Sequence, residues 1–438
     1  MKKILALMFI AITAFTLMAC GGDKGPIVIW VGEEVQDFYQ EKADDYIEYY
    51  NTNHEGEFPF EIEVRAADTG TAGGVFLDDT SAGPDILTVA HDNLGRLIGG
   101  SPAIAPIENP DLVSQIQSQN PESFLDVIKG DYEGETYTFG VPYEAQALIL
   151  YYNSLYLDET DVETWEGIWA RATELEMKST TVTGQDGFNN SFLVLAENAV
   201  TGEPVTKIYE GGDIEETSFV NDEAISVVKW GQRFFSDPYG ADEASDSGWQ
   251  VDLDNEQTLS LISGAWHFNA AQAALGDNLG VAKLPLFTLT EDDVYGDVPA
   301  DTVMQSGTFT DTKMFVMNRR SSKLNYLEDI LLYLSHKDVQ EESYLENGTL
   351  PAYKDALEEF DGMEGTDIRT QLAIAQIEMF NHGRPQPFGI SAAFNVYYYQ
   401  RQAPELLFEL LTNKDEFDTD ALVVERMQEI EDTWKNVD

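Results

Sequence analysis

Four stretches near the start decide the architecture: residues 26–31 (PIVIWV), the run from Phe38 to Tyr50, residues 60–64 (FEIEV) and residues 83–90 (GPDILTVA). The first is a short, wholly apolar run, as expected of a strand buried on both faces. In the second, Phe38, Lys42, Tyr46 and Tyr50 recur four apart, with Tyr39, Ala43 and Ile47 beside them, which is the pattern of an amphipathic helix. In the third, Phe60, Ile62 and Val64 alternate with charged residues, as a half-buried strand does. In the fourth, Gly83-Pro84-Asp85 punctuates and residues 86–90 (ILTVA) read as another strand. Strand, helix, strand and strand in that order predict an α/β architecture with crossover connections.

Further along the chain, residues 137–141 and 148–152 are strand candidates too, and residues 312–317 read as a returning strand. Residues 164–176 read as a helix capped by Thr164, and residues 222–235 as one burying Ile225, Val228 and Phe234. From Leu324 onward the pattern is mainly helical, ending in a helix over 421–434. The acidic stretches 242–246 and 291–297 fall between elements and read as solvated loops.

The chain has 438 residues, 43% of them hydrophobic and 11% aromatic, enough for a large packed core and for two or three domains. It carries 79 Asp and Glu against 25 Lys and Arg, a formal net charge of −54. Such a chain is repelled by nucleic-acid phosphates and anionic headgroups unless a basic patch intervenes. The densest basic spots are Lys2-Lys3 and Arg319-Arg320, so no nucleic-acid partner is expected.

Lys2 and Lys3 precede an apolar run from Ile4 to Met18, and Ala19-Cys20-Gly21-Gly22 follow. A charged start, a short apolar run and a small-residue site make a signal peptide over residues 1–19. The run is shorter than the roughly 20 residues a transmembrane helix needs. The ending Leu17-Met18-Ala19-Cys20 resembles a bacterial lipobox, which implies a lipidated Cys20 as first mature residue, residues 20–25 as a tether, and attachment to the extracellular face of the cell membrane. Cys20 is the single cysteine, so neither a disulfide framework nor a thiol site exists in the body.

Most catalytic signatures are missing. There is no GxxxxGK[ST], no HExxH and no GxSxG. Residues 69–74 (TGTAGG) follow a strand without dinucleotide spacing and read as a βα turn. The five histidines are scattered, which argues against zinc, and no acidic cluster has EF-hand spacing. No metal and no cofactor is expected. A carboxylate pair of glycosidase type cannot be singled out among 79 acids.

Several ordered segments together resemble the solute-binding proteins of carbohydrate ABC importers, in particular the maltose/maltodextrin-binding group. They are residues 26–30, Gly83-Pro84-Asp85-Ile86 with Ala90-His91-Asp92 and Gly95, Tyr132-Glu133-Gly134 through Val141-Pro142, residues 148–153 (LILYYN), Thr164-Trp165-Glu166, Gly264-Ala265-Trp266 and residues 385–392 (PQPFGISA). The resemblance implies a two-lobed α/β periplasmic-binding-protein fold, a Venus flytrap with hinge strands between lobes. Lobe one then takes 26–145 and 301–353, and lobe two 146–300 and 354–438. It also implies a non-enzymatic, monomeric protein that captures a carbohydrate and delivers it to the transmembrane permease subunits of an ABC transporter.

A sugar site pairs aromatic faces with carboxylates and amides on the hydroxyls. Asp92, after the 86–90 strand, matches the family's hydroxyl-binding aspartate; a helix cap before Leu94 is its structural alternative. Glu34, rather than Glu33, matches the acid after the first strand, where a solvated helix start is the alternative. Gln146 takes the place of the family's hinge glutamate, with Glu144 two residues earlier on the same strand face. Asp186 and Phe188 match an acid and an aromatic of the second lobe, and Trp266 its stacking tryptophan. Phe394 holds the other stacking position, followed by Asn395 and Tyr398. Val89 and Asn93 stand where the best-known maltose binders carry an aromatic and an arginine, so one stacking face and one donor are absent. That leaves other oligosaccharides, or a differently shaped maltodextrin subsite in which Asn93 itself takes part, open. A same-fold binder of a non-sugar solute such as a polyamine, and a secreted glycoside hydrolase, are the competing readings.

Overall fold

A computed structural model describes residues 25–132, 134–183, 189–207, 217–243, 252–253, 255–356, 367–385 and 403–435. In chain order the framework is β1 (Ile27–Val31), α1 (Gln36–Asn53), β2 (Ile62–Ala66), β3 (Ile86–Ala90), β4 (Val141–Gln146), β5 (Ile149–Asn153), α2 (Trp165–Leu175) and β6 (Thr180–Val182). It continues with α3 (Asp222–Ser236), β7 (Ala241–Glu243), β8 (Ser260–Ser263), β9 (Leu279–Ala282), β10 (Thr308–Asn318), α4 (Leu324–Leu334), β11 (Leu350–Pro351) and α5 (Asp420–Lys435).

Two sheets organise these strands. The first runs β11-β4-β10-β3-β1-β2, with β1 parallel to both β2 and β3 and with β10 antiparallel to β3 and β4. The second runs β7-β6-β8-β5-β9. Each has its own apolar core. One gathers Ile27, Tyr39, Ile86, Val89, Phe139, Phe315 and Leu331; the other gathers Leu150, Trp165, Trp230, Phe234, Phe268, Phe287 and Met427. A small third cluster of Phe124, Ala145, Leu350, Ala352 and Ile377 lies beside β4.

Local chemistry explains the elements. β1 is apolar throughout and is hydrogen-bonded on both edges, whereas β2 alternates buried and exposed residues at the sheet's edge. Helix α1 buries Phe38, Tyr39, Lys42, Ala43 and Tyr46. The Thr164 side chain accepts a hydrogen bond from Gly167 N at 3.0 Å, capping α2. Helix α3 buries Ile225, Val228 and Phe234, with the Trp230 ring tilted against Phe287 at a centroid distance of 4.4 Å. Among the described residues no helix is long and apolar enough to cross a membrane.

Three sequence expectations need correction. The strand over 137–141 is two elements: Tyr137 belongs to a hairpin strand, Glu135–Thr138, paired with Lys129–Tyr132, and Val141 opens β4 against Phe315. The chain changes partners between them, which an apolar count cannot register. Asp242 and Glu243 are not loop but part of β7, parallel to β6, while residues 244–246 lie outside the described residues. Asp293, within the 291–297 stretch, is 1% exposed and holds Arg233 with two hydrogen bonds, Nε at 3.0 Å and Nη2 at 2.8 Å. A bidentate pair licenses a burial that composition alone argues against.

Thr164→Ala is expected to lower stability by about 1 kcal/mol through loss of the cap. Urea unfolding checks this, with an unchanged denaturant dependence showing that the unfolded surface is the same.

Candidate functional site

Parallel strands β1 and β3 end at the same edge of the first sheet, so the turns after them emerge side by side. After β1 comes the turn Glu33–Val35, and after β3 the turn His91–Asn93. Antiparallel β10 meets β3 there, with Lys313 opposite Ala90, and β4 lies on its other side with Glu144 opposite Lys313 and Gln146 opposite Asp311. Four separate segments thus bring charged groups to one place.

Lys313, absent from the residues that sequence alone singles out, stands at the centre. It is 2% exposed, with Nζ 2.8 Å from Glu34 Oε1 and 3.2 Å from Glu144 Oε1. Glu144 is 1% exposed and also accepts a hydrogen bond from Gln146 Nε2 at 3.0 Å. Its second oxygen, Oε2, is buried with no hydrogen-bond partner among the described residues. Gly32 matters to this arrangement, because a Cβ there would stand 2.4 Å from the Glu34 carboxylate oxygens. Without a side chain at 32, Glu34 can turn back toward Lys313 while Glu33 stays in solvent.

Burial works against the charge of Lys313, but Glu144 and Glu34 outweigh it and its pKa is raised. Burial likewise opposes ionisation of Glu34, but the Lys313 ammonium more than compensates and its pKa is lowered. At Glu144 burial wins over Lys313, so this carboxyl titrates above its ordinary range.

Asp92 lies one step further along the same edge. It is 5% exposed and accepts a hydrogen bond from Asn93 Nδ2 at 2.7 Å, and Asn93 in turn accepts one from Arg96. Beside it His91 and Asp311 share a buried hydrogen bond. Burial, and then the nearby Asp311 charge, push Asp92 up to about 7, against the pull of His91, Arg96 and Asn93. Asp92 is no helix cap: the residue before helix Leu94–Ile98 is Asn93, and no side chain caps that helix.

The second sheet contributes a turn, Ala265–His267, directly after β8. Tyr151 Oη donates to Gly264 O at 2.9 Å, and Ser263 Oγ lies 2.7 Å from His267 Nδ1, so the turn is pinned at both ends. Gly264 leaves room for the indole: a Cβ there would stand 2.0 Å from the Trp266 ring. Trp266 is half-buried, one side packed on the second core. A charge on His267 would help to lower the Glu34 pKa, so this turn lies within electrostatic reach of the acidic edge of the first sheet.

Of the residues singled out in sequence, Glu34, Asp92, Asn93, Glu144 and Gln146 gather at one edge, with the Trp266 turn opposite. Asp186, Phe188, Phe394, Asn395, Tyr398 and Cys20 lie outside the described residues. Sequence reasoning missed Lys313 and Asp311, though β10 carried a signal. Its first half, Thr308 to Lys313, is polar at every position but Phe309, whereas Met314 to Met317 are apolar, and all eleven residues are buried. Polar side chains in a fully buried strand must find partners. Two grooves, of about 510 and 760 Å³, lie around residues 154–161, beside the second core. They gather none of these buried groups.

A family model described as bacterial extracellular solute-binding protein matches residues 45–366. Among solved structures, the maltodextrin binding protein MalE1 from L. casei BL23 without ligand is 18% identical, with 94% of this chain and 99% of that chain covered and a TM-score of 0.69. A structure with acarbose is 19% identical over 94% and 99% of the chains, with a TM-score of 0.73. A cyclo/maltodextrin-binding protein complexed with maltotetraose is 17% identical over 94% and 97%, with a TM-score of 0.65. A search of curated protein sequences finds no match. The likeness establishes a shared two-lobed α/β fold.

The raised Asp92 carboxyl carries a pH signature. Between about pH 4 and pH 7 the native protein keeps a proton that the unfolded chain has released, so its stability falls as pH rises through that window and levels off above it. Asp92→Asn removes the titration while its side-chain oxygen still accepts from Asn93. The melting temperature of this variant relative to the parent is expected to rise between about pH 4 and pH 8. A pH-independent difference would mean that Asp92 ionises normally.

Proposed function

This chain belongs to the bacterial extracellular solute-binding protein family, and from that premise we propose that it captures an oligosaccharide between its two cores and delivers it to the permease subunits of an ABC transporter. A protein of this family binds its solute and does not transform it. The two apolar cores serve as the two lobes, close to 26–145 with 301–353 and 146–300 with 354–438. Strands β4–β5 and β10 are the hinge. Cys20 carries the lipid that holds the protein at the outer face of the cell membrane, and the protein works as a monomer.

One observation carries the sugar reading: four buried carboxylate and amide side chains, Asp92, Asn93, Glu144 and Gln146, gather with the half-buried Glu34 at one sheet edge, and the His267 of the Trp266 turn lies within electrostatic reach of Glu34. Carboxylates and amides satisfy hydroxyls, and an indole face suits the C–H side of a sugar ring. The bound structures of similar fold are in keeping with this, one with acarbose and one complexed with maltotetraose. Closure of the lobes over the sugar shifts an open–closed equilibrium by the difference in binding between the two states. Asp186, Phe188, Phe394, Asn395 and Tyr398 complete the site in this reading.

Thermal melting against mono- and oligosaccharides tests it. A sugar at about 100 times its dissociation constant adds about 2.7 kcal/mol, a rise of several degrees. Recovery of the sugar unchanged is expected, and breakdown products would make the protein an enzyme instead. Trp266→Ala is expected to weaken binding by roughly 1–3 kcal/mol, and Asp92→Ala to weaken it as well by leaving hydroxyls unpaired. Calorimetric titration measures both, and parent-like affinities in both variants would remove these residues from the site.

A further inference from the structure

Lys313 does something at this edge that a sugar-binding carboxylate set does not itself require. It puts a permanent cation between two acids, at 2.8 and 3.2 Å, inside the protein. Two uncompensated buried carboxylates would make a receptor for an ammonium group. With Lys313 between them, Glu34 and Glu144 are already answered. What remains is Glu144 Oε2, buried and without a partner among the described residues. A hydroxyl can donate to that oxygen at no electrostatic cost. An ammonium placed there would come within a carboxylate's width of Lys313 and be repelled by it in a medium of low dielectric. The long-range field works the other way: a formal net charge of −54 draws cations to the surface, so exclusion has to be local.

We propose that Lys313 is the residue that fixes the solute class of this site, acting as a built-in cation that saturates Glu34 and Glu144 and reserves the site for uncharged, hydroxyl-bearing solutes over amines. The inference rests on the sugar-site reading under Proposed function, but not on which sugar binds there. Its consequence is reciprocal. Removing the lysine leaves an acid pair of the right chemistry for a small diamine, so the amine takes the place of the missing ammonium.

The experiment compares the purified parent with Lys313→Met, with the double variant Glu34→Gln/Lys313→Met, and with the triple variant Glu34→Gln/Glu144→Gln/Lys313→Met. Each is titrated calorimetrically and melted with putrescine and with maltotetraose. Lys313→Met is expected to bind putrescine at least tenfold more tightly than the parent and to be stabilised by it. The triple variant, which has no charge left at this position, is expected to show no gain. Should Lys313→Met fold poorly because two buried acids repel, the double variant keeps one carboxylate and is expected to show a smaller gain of the same sign. Equal putrescine affinity in the parent and the acid-bearing variants, or the same gain in the triple variant, overturns the proposal. A parent that binds no oligosaccharide, with Lys313→Met still gaining putrescine, would overturn the sugar reading and leave the role of Lys313 standing.

Discussion

The structure turns on two strand passages that carry the chain from one core to the other. Strand β4 starts in the first core, with Val141 and Tyr143, and β5 begins in the second; β10 runs back, with Phe309 in the second core and Met314 to Met317 in the first. The passages are tied where they meet: Leu148 N donates to Thr308 Oγ1 at 3.0 Å, and Thr312 Oγ1 donates to Glu144 O at 2.9 Å. Every residue of β4 and β10 is buried. Buried backbone must be fully bonded and buried charge must be paired. The ion triad of Glu34, Lys313 and Glu144 is the answer to the second demand.

That triad also links the two kinds of structure present. Glu34 belongs to a turn after a parallel strand, a place fixed by sheet topology. Lys313 and Glu144 belong to the crossing strands, where small changes in backbone angle would move one core relative to the other. A buried pair of this kind is weak evidence for stability, because desolvation offsets most of the attraction. Its value lies in specificity: it sets which oxygens face inward, and in which ionisation state. At Asp92 burial and the Asp311 charge outweigh the pull of His91 and Arg96, and its carboxyl is pushed up to about 7. At one sheet edge Glu34 thus shifts down while Asp92 and Glu144 shift up, according to whether burial or the neighbouring cation wins.

Much of the framework was legible in the sequence because it depends on periodicity. The apolar run at 27–31 and the four-residue spacing from Phe38 each fall within one element, and the Ile62 and Val64 alternation marks the buried face of β2. Thr164 could be read as a cap because that chemistry is local. Glu34, Asp92, Glu144 and Gln146 could be singled out through the ordered segments that resemble a known family, with Glu34 and Asp92 also following readable strands. The hairpin ending at Thr138 and the strand at Ala241–Glu243 were not legible, since both are defined by the partners they pair with.

The sequence by itself determined the alternation of strands and helices, the acidic character, the single cysteine and the ordered segments shared with a family, all of which are properties of short windows or of sums over the chain. Only the tertiary structure decided that Lys313 stands between Glu34 and Glu144, 279 and 169 residues away along the chain. The same holds for Asp293 buried on Arg233, and for His267 brought within electrostatic reach of Glu34. The physical reason is the same in each case. Whether a charge is solvated or must be paired depends on how far the fold removes it from water, and that is set by segments distant in sequence.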